Sequence, residues 1–184
     1  IINKLKRDNQ LDFSEDNIIV GTGGKQVLFN AILGSVNPGE EVIIPSPYWV
    51  SYPDMVLFAD GIPKIVKCDD KSSFKITPSQ LEAAITDKTK WLILNSPSNP
   101  TGSCYSRDEL KALADVLLKQ PHVNFMSDDI YEHIIYDGFK FYNIRTVEPS
   151  LGDRVLVVNG VSKAYSMTGW RIGYAAGNKD LIKS

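Results

Sequence analysis

Residues 90–102 read KWLILNSPSNPTG: four consecutive apolar residues, Trp91 to Leu94, and then a loop carrying two prolines, two asparagines and a glycine. A strand with one solvated face alternates apolar and polar side chains, whereas an unbroken apolar run fits a strand buried on both faces, as in a parallel sheet covered by helices. The prolines and Asn99 end the run abruptly in a turn.

Similar short runs recur along the chain: NIIV (17–20), EVIIP (41–45), IPKIVKC (62–68), VNFMSDD (123–129), RVLVVNG (154–160) and WRIGYAAG (170–177). Between them lie stretches of helical period, at 23–36, 48–60, 77–86 and 106–120. Ser106 and Glu109 form a capping-box pattern at the start of the last, and Pro53 is expected to kink or interrupt the second. Strands alternating with helices over the whole length predict an α/β fold with a mostly parallel sheet.

Composition narrows the partners. The chain has 184 residues, 43% of them apolar, and a net charge of −2 without a basic cluster, so nucleic-acid binding is not expected and small molecules are. No apolar run reaches membrane-spanning length and no signal-peptide pattern opens the sequence. Cys68 and Cys104 are far apart, and His122 and His133 lack an i,i+4 partner, so neither a disulfide framework nor a histidine metal site is expected. Two reduced cysteines fit a cytoplasmic protein. Both ends cut into helix-like stretches, IINKLKRDNQL and NKDLIKS, and the chain is expected to be part of a longer polypeptide.

In parallel α/β sheets ligands gather at the carboxyl ends of the strands. Five post-strand segments would then share one rim: GTGGKQ (21–26), PSPYW (45–49), NSPSNPTG (95–102), SDDIYE (127–132) and NGVSKAYSMTGWR (159–171). GTGGKQ is not a nucleotide loop, because Ile19 and Gln26 replace the glycine and the Ser or Thr of a P-loop, and the last glycine of G-x-G-x-x-G is missing. It still suits a smaller phosphate. The other segments bring Lys163, Arg171, the acids Asp128 and Asp129 ahead of Tyr131, Asn99 and Trp49. Pyridoxal phosphate needs such a set: a Schiff-base lysine, a carboxylate for its ring nitrogen, and cations or N–H dipoles for its phosphate.

Taken in order, GGKQVLFN, SPYWVSYP, NSPSNPTG, SDDIYEH and SKAYSMTGWRIGY resemble the large domain of class I pyridoxal-phosphate aminotransferases, nearest the bacterial aspartate and prephenate branch. The resemblance spans residues 1–184. It implies a three-layer αβα fold with a mostly parallel mixed sheet, and transamination with aspartate or glutamate and 2-oxoglutarate as expected substrates.

The resemblance also implies residue roles. Lys163 resembles the lysine that holds the cofactor and moves the substrate Cα proton. Asp128 resembles the partner of the ring nitrogen. Asn99 and Tyr131 resemble the pair on the phenolic oxygen, and Trp49 the aromatic stacked on the ring. Arg171, Ser162 and the backbone of Gly24 and Lys25 resemble the phosphate ligands. Lys25, Trp49 and Asn99 are further expected to face substrate, with the Lys25 side chain on its second carboxylate.

Other readings stay open at this level. Trp49 could be core, Asn99 could make an Asx-turn before Pro100, either Pro97 or Pro100 could follow a cis bond, and Asp129 reads as an ordinary acid and Tyr136 as packing. Many relatives have a serine where Gly160 stands, which would leave the phosphate more dependent on Arg171 and the helix N-terminus. The arginine for the substrate α-carboxylate is expected downstream of Ser184, and a tyrosine from a second subunit of a homodimer completes the family's site. The fragment alone is therefore expected to be inactive. Rival readings are a lyase on the same fold and an aminotransferase-like sensor domain of a transcription regulator.

Overall fold

The computed structural model describes residues 1–184. All seven apolar runs are strands: β1 (Ile18–Thr22), β2 (Glu41–Ser46), β3 (Ile62–Lys67), β4 (Thr89–Asn95), β5 (Asn124–Asp128), β6 (Val155–Gly160) and β7 (Ile172–Ala176). They form one sheet in the order β1-β7-β6-β5-β4-β2-β3. Neighbours are parallel except at β7, which runs antiparallel to both β1 and β6. This reversal brings Arg171, which precedes β7, to the rim where the parallel strands end.

Helices α1 (Ile2–Asn9), α4 (Pro78–Ala84), α5 (Arg107–Leu118) and α6 (Ile144–Val147) cover one face of the sheet. Helices α2 (Gly23–Leu33), α3 (Ser51–Phe58) and α7 (Lys179–Lys183) cover the other. The inner strands alternate between the two resulting cores: Leu92, Phe125, Val155 and Val157 point into the first, Ile93, Met126, Leu156 and Val158 into the second. Every residue of β6 is buried, as an unbroken apolar run requires. The edge strands β1 and β3 are only partly covered.

Local signals explain most boundaries. The capping box of α5 forms: Ser106 Oγ accepts from the Glu109 N–H at 3.3 Å and Glu109 Oε2 from the Ser106 N–H at 2.7 Å. Thr77 and Gln80 repeat it at α4, with Pro78 in the first helical position. The stretch 48–60 behaves differently from expectation. The helix starts only at Ser51, so Pro53 falls in its first turn, where no i−4 carbonyl needs its N–H, and nothing is interrupted.

The other end of α5 is closed by a distant residue. Arg154 Nη1 donates to the carbonyls of Leu117, Gln120 and Val123, each at 3.0 Å. Arg154→Ala leaves these helix-end carbonyls without that partner and is expected to cost about 1–3 kcal/mol, read as a lower denaturant midpoint at unchanged slope.

Candidate active site at the carboxyl rim of the sheet

Register brings the site together. Asn95 at the end of β4 pairs with Asp128 at the end of β5, and Asp128 with Val158 of β6. Gly23 and Gly24 open α2 directly after β1, and β7 begins one residue after Arg171. At this rim lies a cavity of about 310 Å³, lined by all of Gly24, Lys25, Trp49, Asn99, Asp128, Tyr131, Ser162, Lys163 and Arg171. The five segments that meet there are the five singled out in the sequence.

The N-terminus of α2 is pressed onto β7. A Cβ on Gly173 would lie 2.2 Å from the Gly24 nitrogen, so only glycine allows this approach. Gly23 has φ of +81°, and a Cβ there would meet the Arg171 guanidinium at 2.2 Å. Arg171 is itself left-handed, with φ of 50°, and its Nη1 is anchored on the Thr168 carbonyl at 3.0 Å. No side chain caps the first turn of α2, while the Gln26 carboxamide turns back to accept from the Thr22 N–H. Free N–H groups and a guanidinium at one helix start form an anion cradle. A serine at position 160 would not fit beside it, since a Cβ on Gly160 would come within 2.8 Å of the Ile172 carbonyl.

Asp128 and Asp129 divide their work by strand alternation. Asp128 is buried on the α2/α3 side, where Oδ2 accepts from the Tyr52 hydroxyl at 2.6 Å and Oδ1 from the Ile130 N–H at 3.3 Å. Burial pushes its carboxyl up to about 6, and these two donors restrain the rise. Asp129 faces the opposite core. It is not an ordinary surface acid: it is buried and accepts from Ser127 Oγ and Asn143 Nδ2, each at 2.6 Å, with its carboxyl raised well above the usual range, chiefly by burial and then by nearby Glu132. Glu132 in turn takes Lys4, Asn9 and Asn159, tying α1 to the end of β6.

The side-chain polar groups of Lys25, Asn99, Tyr131, Ser162 and Lys163, which line the cavity, make no hydrogen bond. Lys25, Lys163 and Arg171 reach no carboxylate at ion-pair distance. The Lys163 amine lies 5.7 Å from the Tyr131 ring centroid, and the Lys25 amine 5.0 Å from that of Trp49. Asn99 makes no Asx-turn with its side chain; its backbone N–H donates to Asn95 Oδ1 at 2.7 Å. The Asn99–Pro100 and Ser96–Pro97 bonds are both cis, as is Ser46–Pro47. Trp49 is half-buried, lining the cavity while it packs against the α2/α3-side core, and Tyr136 is exposed rather than packed.

Sequence reading missed Tyr52, Asn95 and Thr168, which also line the cavity. Tyr52 lies three residues after Trp49, one helical turn on, and that spacing could have revealed it. Asn95 binds the Asp128 carbonyl through Nδ2 at 2.9 Å and so joins two of the rim segments.

The donor set fits pyridoxal phosphate on its own chemistry. An anion cradle, a buried carboxylate whose Oδ1 has acceptor capacity to spare, a flat aromatic wall and an unpaired amine face one cavity.

Comparison with known proteins agrees. The chain is 62% identical over 181 residues to a probable aspartate/prephenate aminotransferase of Rickettsia bellii, covering 98% of this chain and 45% of that protein. It is 58% identical over 184 residues to an aspartate/prephenate aminotransferase of Cereibacter sphaeroides. The solved aspartate aminotransferase of Rhizobium meliloti superposes with a TM-score of 0.98 at 54% identity, over 99% of this chain and 46% of that one. The chain thus spans less than half the length of the relatives it matches. The family described as aminotransferase class I and II matches residues 1–184 from end to end. With fold and sequence in agreement, this chain belongs to the class I and II aminotransferases.

Proposed function

We propose that residues 1–184 are the cofactor-binding large domain of a pyridoxal-phosphate aminotransferase that exchanges amino and keto groups between aspartate or glutamate and a 2-oxo acid, with 2-oxoglutarate as acceptor. The observation that carries this reading is the convergence of Lys163, Asp128 and Arg171 on one cavity. The family's dependence on pyridoxal phosphate and the names of the relatives support it.

When bound, the cofactor supplies an electron sink for the pair released as a substrate Cα–H bond breaks. The chain's own residues do the rest. Arg171 and the first N–H groups of α2 hold the phosphate, a bidentate task that suits a guanidinium, and Ser162 adds a hydroxyl. Asp128 offers its anion to the ring nitrogen. Asn99 and Tyr131 offer hydrogen bonds to the phenolic oxygen, and Trp49 closes one wall against water. Lys163 anchors the cofactor through Nζ and carries the proton to and from the substrate Cα.

Two features of the wider protein belong to this reading. The α-carboxylate clamp would come from a further domain, so the isolated fragment would lack activity. A homodimer belongs to this reading too, and exposed Val50, Phe58 and Trp170 are apolar surface available to it. The test is the product of the full-length protein with L-aspartate alone: one equivalent of oxaloacetate with pyridoxamine phosphate supports transamination, while sustained release of keto acid with ammonia would mean a lyase.

Lys25 is proposed to choose dicarboxylic substrates. Its amine is unpaired at the cavity wall beside Trp49, and its backbone is left to the phosphate. Lys25→Ala is expected to lower kcat/KM for aspartate by about 10–100-fold, the value of a charge-assisted hydrogen bond, while changing that for a monocarboxylic amino acid far less. An unchanged ratio of the two would remove the role.

A further inference from the structure

We propose that Tyr52 is a positioning residue of the cofactor site: its hydroxyl orients the Asp128 carboxylate toward a cationic ring nitrogen, and its ring braces Trp49. This rests on the reading of the cavity as a pyridoxal-phosphate site.

The geometry is specific. Tyr52 is almost wholly buried in α3 yet lines the cavity. Its hydroxyl donates to Asp128 Oδ2 at 2.6 Å, and its ring meets Trp49 edge to face, with centroids 5.4 Å apart and planes at 84°. One side chain thus touches both Asp128, the acid that would partner the ring nitrogen, and Trp49, the aromatic that would stack on the ring. A phenol has one proton to give. With Oδ2 satisfied, the spare acceptor capacity of Asp128 falls on Oδ1, which otherwise receives only the long bond from Ile130.

The bond also sets the charge. Burial favours neutral Asp128, whereas an O–H donor favours the anion. The Tyr52 hydroxyl keeps its proton, because burial and then the neighbouring Asp128 push it well above the usual phenol range. Lys25, Lys163, Arg171 and Tyr131 face the same cavity, but none of the cations pairs with Asp128, and Asp129 turns to the other core. The donor that holds Asp128 in place and in charge is therefore Tyr52, with the Ile130 N–H as its weaker helper.

The test uses the full-length protein, Tyr52→Phe, and two probes: pyridoxal phosphate and its 1-deaza analogue, in which a carbon replaces the ring nitrogen. Phenylalanine keeps the ring against Trp49 and removes only the hydroxyl. The expected result is a Kd for pyridoxal phosphate raised by about tenfold with the deaza analogue affected less than about twofold, as for loss of a hydrogen bond to a charged group. In the cofactor-free protein, the Asp128 carboxyl carbon should titrate about one unit higher by NMR in the variant than in the wild type. Unchanged affinity for pyridoxal phosphate, or equal weakening for both probes, would reduce Tyr52 to a packing residue and overturn the inference alone. Wild-type protein that binds neither probe would overturn the cofactor reading and this inference with it.

Discussion

Lys163→Ala in the full-length protein is expected to lower transamination by about 10⁴-fold or more, because in the proposed reading one amine both anchors the cofactor and moves the Cα proton. Borohydride reduction of the wild type should leave the cofactor covalently on the peptide containing Lys163, and the variant should carry none. The fold should not notice. Lys163 is exposed at the mouth of the cavity, forms no ion pair and contributes only a loose approach to the Tyr131 ring. A change in stability above about 0.5 kcal/mol is not expected at such a position. Covalent label on another lysine, or residual activity near wild type, would show that the anchoring amine has been misassigned.

Asp128→Asn should separate stability from function. A carboxyl raised from 3.8 to about 6 on folding binds its proton more tightly in the folded state than in the unfolded one. Its ionisation therefore costs the cofactor-free protein stability, and the cost grows as pH rises from about 4 to about 6 and is complete above that range. Asparagine keeps the shape and can still accept from Tyr52, but never ionises. At pH 8 the cofactor-free variant is expected to be more stable than the wild type by about 3 kcal/mol, with the difference shrinking toward pH 4. In the proposed reading the same change removes the anion meant for the ring nitrogen, so activity should fall by about 10³-fold. A variant less stable than the wild type at pH 8 would mean that Asp128 is held by favourable interactions stronger than its burial.

The site was legible because strand ends are legible. Unbroken runs such as WLIL and VLVV can be buried only between two helix layers, and the loop after each parallel run then falls on the same rim. Lys163, Asp128 and Asn99 lie at or just past the ends of β6, β5 and β4, so their convergence needed only the parallel order of those strands. Arg171 was legible only as the far end of the segment that follows β6. It precedes a strand, and it reaches the rim only because β7 is reversed, which no local pattern in WRIGYAAG announces.

What the sequence could not convey was which neighbour each polar group would find. Asp128 and Asp129 are adjacent and chemically alike, and only the sheet assigns one to the cavity and the other to Ser127 and Asn143. Arg154 looks like a surface cation until the fold sets it under the end of α5.

The sequence by itself determined the elements and the chemical inventory: seven apolar runs, the helix caps at Thr77 and Ser106, and a lysine, an arginine, an acid and an aromatic on post-strand segments. These depend on neighbours a few residues away, and short-range patterns record them. Tertiary structure alone decided the reversal of β7, the close approach of Gly173 to the Gly23–Gly24 backbone that lays Arg171 across the start of α2, and the pairing of Tyr52 with Asp128 from 76 residues away. Each depends on distances between segments remote in the chain, which packing of the sheet and its two helix layers fixes and periodicity does not encode.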